Sequence, residues 1–126
     1  MPDQPDPRRV LLLADDDDDL AKAYTRALEQ HGYAVHRART GGEALAMIGM
    51  MPRLDVAIVD FVLPGVGGLD LAQRIRATHP AARIVAITGL DSDAVQSAFQ
   101  AAGADRFLSK PVALPALLAA ISDPPA

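Results

Sequence analysis

The sequence predicts a doubly wound α/β fold, a (βα)5 three-layer sandwich with one parallel sheet between two layers of helices. Three observations predict it. Short apolar runs recur along the chain, of the kind that suits strands buried on both faces, and they end in polar residues. Segments with helical spacing of apolar residues separate these runs, which implies right-handed crossovers between parallel strands. Five such units can be counted, and sheet order 2-1-3-4-5 is the common choice for that number.

The first strand is Arg9 to Ala14, running into Asp15 and Asp16. The helix after it carries Leu20, Tyr24, Ala27, Leu28 and His31 on one face and stops at Gly32. The second strand is Ala34 to Ala38. Thr40 caps a second helix in which Leu45 and Ile48 share a face, ending near Gly49 or Met50. The third strand starts at Val56 and closes on Asp60. The loop Leu63 to Gly68 then feeds a helix with Leu71, Ala72 and Ile75 in its stripe, which His79-Pro80 ends. The fourth strand is Arg83 to Thr88. Asp91 or Ser92 caps the next helix, where Val95, Ala98, Phe99 and Ala102 recur at i, i+3, i+4 and i+7, with Gly103 beyond its end. The fifth strand is Arg106 to Ser109, running into Lys110 and Pro111. A short last helix carries Leu114, Leu117, Leu118 and Ile121, with Pro115 tolerated in its first turn.

A chain of 126 residues is enough for one domain. Half the residues are hydrophobic and there is no Trp, so Ala, Val, Leu and Ile must build the core. Cysteine is absent, which excludes disulfide and thiolate chemistry. No apolar run approaches the roughly 20 residues that span a bilayer, and Met1 to Pro7 lacks the apolar centre of a signal peptide. The net charge of −4 is not the basic footprint of a nucleic-acid binder.

In a 2-1-3-4-5 sheet the first and third strands are neighbours, so Asp15, Asp16 and Asp60 converge at the switch point, where such sheets bind ligands. Asp18 and Asp19, further along the acidic block, suit the start of the first helix. Crowded carboxylates repel, and a divalent cation relieves that cost. Mg²⁺ fits a site with a few carboxylates and several waters. The block lacks the glycine and glutamate of an EF-hand loop. A carboxylate such as Asp60 can attack a phosphoryl group, and a metal beside it offsets the charge on both. The Thr88 hydroxyl can donate to a phosphoryl oxygen. Lys110 can pair with Asp60 or with that oxygen. Read alone, Asp60 could equally cap a turn, Thr88 could simply end a strand, Lys110 could be a surface lysine, and Phe107 could pack on a helix.

Taken in order, these residues resemble the receiver domain of two-component response regulators, similar to chemotaxis-type single-domain receivers with a flavodoxin-like fold. The resemblance runs from about Arg9 to Ile121. It rests on Leu-Leu-Ala-Asp15-Asp16-Asp17, on Asp55-Val-Ala-Ile-Val-Asp60 with Leu63-Pro64-Gly65 and Gly68, on Ile87-Thr88-Gly89, on Ala101-Ala-Gly103-Ala104-Asp105 and on Phe107-Leu-Ser-Lys110-Pro111.

The resemblance implies that Asp60 is the phosphoacceptor. Mg²⁺ would be held by Asp15, Asp16, Asp60 and the Val62 backbone carbonyl. Thr88 and Lys110 would contact the phosphoryl group, Thr88 and Phe107 would be the switch pair, and Lys110-Pro111 would be cis. It further implies a sensor histidine kinase or histidine phosphotransfer protein as phosphodonor, and a cytoplasmic location. Output would pass to a protein partner through the helix 4–strand 5–helix 5 face, with no direct contact to nucleic acid or membrane. Such a domain is no enzyme beyond catalysing its own phosphorylation and dephosphorylation. Val62 and Leu90 hold the two positions that flank the line of water attack; both are apolar, which implies slow loss of the phosphoryl group. Two departures stand out. Gly67 replaces the usual Asp before the third helix, and the fifth helix lacks the charged pattern that many transcription-factor receivers use to dimerise.

The boundaries read as a disordered tail over 1–7, the receiver domain over 8–122 and a short tail over 123–126, with no output domain after the last helix. The alternatives are a pseudo-receiver that only binds partners, a receiver fragment of a larger regulator or hybrid kinase, and a small phosphatase with an Asp nucleophile. The intact set of Asp15, Asp16, Asp60, Thr88 and Lys110 speaks against the first. Val62 stands where the last would need a second acid.

Overall fold

The computed structural model describes residues 8–90 and 92–122. Five strands and five helices alternate: β1 (Arg9–Ala14), α1 (Asp18–Gln30), β2 (Tyr33–Ala38), α2 (Gly41–Met50), β3 (Val56–Asp60), α3 (Gly68–Thr78), β4 (Arg83–Thr88), α4 (Asp93–Ala101), β5 (Arg106–Ser109) and α5 (Leu114–Ser122). The strands form one parallel sheet in the order β2-β1-β3-β4-β5. The expectations for 1–7, for 123–126 and for Asp91 as a cap lie outside the described residues.

Side chains alternate across the sheet and divide the core in two. Leu12, Ala14, Ala57 and Val59 pack with α2, α3 and the buried Phe99 of α4. Leu11, Leu13, Val56 and Ile58 pack on the other face with Ala21, Tyr24 and Leu28 of α1 and Leu117 and Ile121 of α5. β3 and β4 are buried throughout, as their unbroken apolar runs require.

The helix ends follow local chemistry. Asp17, Thr40 and Ser92 are N-caps whose side chains accept from the amides of Leu20, Glu43 and Val95. Gly103 takes φ +105° after α4, a conformation that glycine adopts without Cβ strain. Arg83 is buried at the start of β4, and its Nε donates to the Ala120 carbonyl at 2.6 Å, placing a cation at the negative end of α5.

Several expectations need correction. β2 begins one residue earlier, at Tyr33. In α1 the buried set is Ala21, Tyr24 and Leu28; His31 is the exposed C-cap, with its ring bonded to the Ala27 carbonyl, because it sits where the stripe turns to solvent. In α2, Ala44 is buried beside Ile48, with Leu45 half-buried and packed on the same core, as expected. In α5, Ala120 joins Leu117 and Ile121, while Leu114 and Leu118 are half-buried at the flanks.

Candidate functional site

Parallel register carries the functional side chains to one edge. Ala14 pairs with Val59, so Asp15 and Asp60 emerge side by side from β1 and β3. Asp60 pairs with Ile87, one residue before Thr88, and Thr88 pairs with Ser109, one residue before Lys110. Asp15, Asp16 and Asp60 each offer a carboxylate oxygen within 4.8 Å of the others.

Asp60 is buried and bound on both oxygens. Oδ1 accepts from the Val62 amide at 3.2 Å, and Oδ2 accepts from Lys110 Nζ at 2.7 Å. The same ammonium lies 3.4 Å from Asp15 Oδ2. Burial pulls the Lys110 pKa down, but the hydrogen bond and charge of Asp60, with the charge of Asp15 behind them, carry it above its ordinary 10.5. Lys110 is therefore a fixed cation between two carboxylates. Its strand-end loop is anchored from α1, where Tyr24 Oη donates to the Val112 carbonyl at 3.0 Å. The Lys110–Pro111 bond is cis.

Asp15 is fully buried. Its Oδ1 accepts from the Asp17 amide, while Oδ2 is a buried oxygen with no hydrogen bond. Burial, above all, raises its pKa from 3.8, and the neighbouring charge of Asp60 adds to the rise. Asp16 is exposed beside it. A buried carboxylate oxygen with one distant ammonium and no hydrogen bond, inside a three-acid cluster, fits a small divalent cation, whose charge relieves both the repulsion and the desolvation.

Thr88 is fully buried. Its hydroxyl oxygen accepts from the Leu90 amide at 2.9 Å, so in this conformation it is tied to its own loop. Phe107 is half-buried and packs against the core, its ring 6.0 Å from that of Phe99. Val62 and Leu90 are 58% and 52% exposed.

Sequence reasoning missed three contributors. Arg37 on β2 grips the backbone of Asp15; its Nε and Nη2 donate to the Asp15 carbonyl at 3.1 and 2.8 Å. Phe61, the residue after Asp60, stacks edge-on against Phe99 at 5.7 Å, completing a row of three rings with Phe107. Gly41 donates from its amide to the Pro64 carbonyl and leaves no room for a Cβ against Val66, which fixes the loop after Asp60.

Residues 11–122 match the family described as the response regulator receiver domain. The chain belongs to that family. It is 38% identical over 109 residues to the response regulator MprA of Mycobacterium avium, a match covering 86% of this chain and 47% of that protein. It is 37% identical over 111 residues to MprA of Mycobacterium leprae, covering 88% of this chain and 48% of the relative. The chain therefore spans about half the length of these curated relatives. Among solved structures it superposes, with a TM-score of 0.86 and 34% identity, on a response regulator protein from Burkholderia pseudomallei that carries a phosphorylated aspartic acid, a calcium ion and citrate; 91% of this chain and 67% of that one are covered. A CheY-like receiver domain protein from Methanospirillum hungatei follows at a TM-score of 0.84 and 32% identity, covering 88% of each chain. The domain is thus a two-component signalling receiver with a flavodoxin-like sheet. Among the described residues no helix is long and apolar enough to cross a membrane.

Proposed function

We propose that Asp60 is the phosphoacceptor of this receiver and that 8–122 is the functional unit. The observation that carries the reading is the buried Asp60 carboxylate held by Lys110 beside Asp15 and Asp16. An Asp60 oxygen attacks the phosphorus of a phosphohistidine on a sensor kinase or phosphotransfer protein. The P–N bond breaks, the imidazole leaves, and an acyl phosphate forms. Lys110 stays with the charged group throughout. Thr88 gives up its bond to the Leu90 amide and turns its hydroxyl to a phosphoryl oxygen, opening space toward which Phe107 turns. Asp15, Asp16, Asp60 and the Val62 carbonyl are the oxygen ligands offered to Mg²⁺, which when bound offsets the charge that Asp60 shares with the incoming group. The chain catalyses no reaction beyond gain and loss of its own phosphoryl group. The α4–β5–α5 face passes the change to a protein partner in the cytoplasm.

The test is intact mass after incubation with acetyl phosphate and Mg²⁺. One acid-stable, base-labile phosphoryl adduct is expected, and Asp60→Asn should abolish it. The same adduct level in Asp60→Asn would remove Asp60 from the role.

A further inference from the structure

Arg37 sits on β2, an edge strand that contributes no group to the acid cluster. Its guanidinium nevertheless spends three N–H groups on the segment that carries that cluster. Nε and Nη2 converge on the Asp15 carbonyl, and Nη1 donates to Asp18 Oδ1 at 2.8 Å. The Arg37 side chain is 20% exposed and its two bonds to the Asp15 carbonyl are part-buried, whereas its bond to Asp18, 57% exposed, faces water. The Asp15 amide donates to the Ala38 carbonyl on the same strand. β2 therefore holds Asp15 by both of its peptide groups. The side chain is held at Oδ1 by the Asp17 amide, while the buried Oδ2 has no hydrogen bond and only the Lys110 ammonium 3.4 Å away.

Charge and geometry pull in opposite directions at this position. A guanidinium next to an acidic cluster weakens cation binding by Coulomb repulsion. A fork that fixes a ligand's backbone strengthens it, because the ligand need not be ordered when the cation arrives. Asp18 moderates the charge side: its carboxylate pairs with Arg37 at 2.8 Å and with Arg39 at 3.2 Å. Two donors meet one backbone oxygen, a geometry a point-charge ammonium cannot copy.

We propose that Arg37 is a positioning residue for the divalent-cation site: its fork fixes Asp15 and thereby sets the affinity for the metal. This rests on the metal reading above. The two effects predict opposite orders of affinity, which makes the inference testable without phosphorylation. Mg²⁺ is titrated calorimetrically into the full chain and into Arg37→Met, Arg37→Lys and Asp16→Asn, at one pH and ionic strength. Positioning predicts that Arg37→Met and Arg37→Lys each bind at least about tenfold more weakly, the loss typical when a group that orients a metal ligand is removed. Lys should not rescue, since it keeps the charge and lacks the fork. Charge alone predicts that Arg37→Met binds more tightly than the parent and that Arg37→Lys equals it; either result overturns the proposal. Should Arg37→Met lose cooperative unfolding, the conservative Arg37→Lys carries the test. Asp16→Asn separates the two failures. If it loses Mg²⁺ binding while Arg37→Met and Arg37→Lys bind as the parent does, only the role of Arg37 falls. If it binds as the parent does, the metal reading falls and takes the role of Arg37 with it.

Discussion

On the β1–β3 side the site is fastened by several backbone groups; on the β4–α4–β5 side the Lys110 amide donates to the Thr88 carbonyl at 2.7 Å, but the Thr88 hydroxyl has a single loop bond and α4 and β5 are sparsely buried. Asp15 is tied to β2 at its amide and its carbonyl. The loop after Asp60 is held by Gly41 against Pro64 and by Gly68, whose amide donates to the Phe61 carbonyl. Across the site, α4 buries one residue within its bounds among those described, Phe99. β5 is half-buried to exposed along its length. The Thr88 hydroxyl rests on a loop amide, and Leu90 stands in solvent. The difference teaches where rigidity serves this domain. The half that holds three carboxylates together is built stiff, and the half to which the proposed function assigns the response to phosphorylation has fewer buried contacts to break.

The largest test of the stiff half is Gly68→Ala. A Cβ there would collide with the Asp60 carbonyl oxygen and lie 2.8 Å from the Phe61 Cα, both backbone atoms that cannot swing aside. Overpacking of this kind costs about 1–3 kcal/mol. Gly67→Ala is the contrast. That residue has φ −70° and no atom within 4 Å of a Cβ; it is the N-cap of α3, where alanine is worse than glycine, and the lower entropy of the unfolded chain offsets part of that, so the cost should stay under about 1 kcal/mol. Urea unfolding of the pair decides; equal midpoints would mean the loop yields and the stiffness is not there.

These glycines also mark how far the sequence could be read. Every strand end that carries Asp15, Asp60, Thr88 or Lys110 was legible, because an apolar run broken by a polar residue is a local signal. The glycines around Pro64 were legible only as a permissive loop. Gly65 needs its positive φ, Gly68 needs its missing Cβ, and Gly67 needs neither, a distinction that lies in backbone geometry and not in residue type. Arg37 was invisible for the same reason. Its partner is a backbone carbonyl 22 residues away, and a carbonyl leaves no trace in the choice of amino acid. Phe99 was legible as a core residue, but not as the ring between Phe61 and Phe107.

The loose half is tested by Thr88→Ala. Asp60 and Lys110 are untouched by it, so the acyl phosphate should still form. The link from the site to Phe107 and α4 should fail, a coupling of the order of 1–3 kcal/mol in such switches. Amide exchange in α4, before and after phosphorylation, reads it. Equal phosphorylation-dependent changes in Thr88→Ala and the parent would sever Thr88 from the switch.

A smaller effect sharpens the stiff half again. Mg²⁺ at ten times its dissociation constant should stabilise the fold by about 1.4 kcal/mol, roughly 3–6 °C in melting midpoint. Asp16→Ala should lose that response; an undiminished shift would move the metal elsewhere. The pH dependence has a definite sign. The folded-state pKa of Asp15 lies above 3.8, mainly through burial, so folding favours its protonated form. Without metal, its contribution to stability is full below 3.8 and is lost as pH rises through the raised value. Mg²⁺ requires the carboxylate, so its stabilising effect should grow with pH over the same window.

The smallest effect lies where the two halves meet. The Val62 amide donates to Asp60 Oδ1 and the Leu90 amide to Thr88 Oγ1, so one exposed apolar side chain follows each of these two groups by two residues. Hydrolysis of an acyl phosphate on Asp60 needs a water aligned opposite the bond that breaks. Neither Val62 nor Leu90 can hydrogen-bond that water, and both can cover the phosphoryl group. We expect slow self-dephosphorylation, with Val62→Asn or Leu90→Glu shortening the lifetime a few-fold; a threefold change is only about 0.65 kcal/mol of barrier. Decay of the adduct after removal of the donor, at fixed Mg²⁺, gives the rate. Leu90 belongs to the loose half and Val62 to the stiff half, so the pair also weighs the comparison. A larger gain from Leu90→Glu would mean that the mobile side limits access of water. A larger gain from Val62→Asn would mean that water is positioned from the fixed side. If neither variant decays faster than the parent, the apolar cover does not set the lifetime, and control passes to the clamped loop from Gly65 to Gly68.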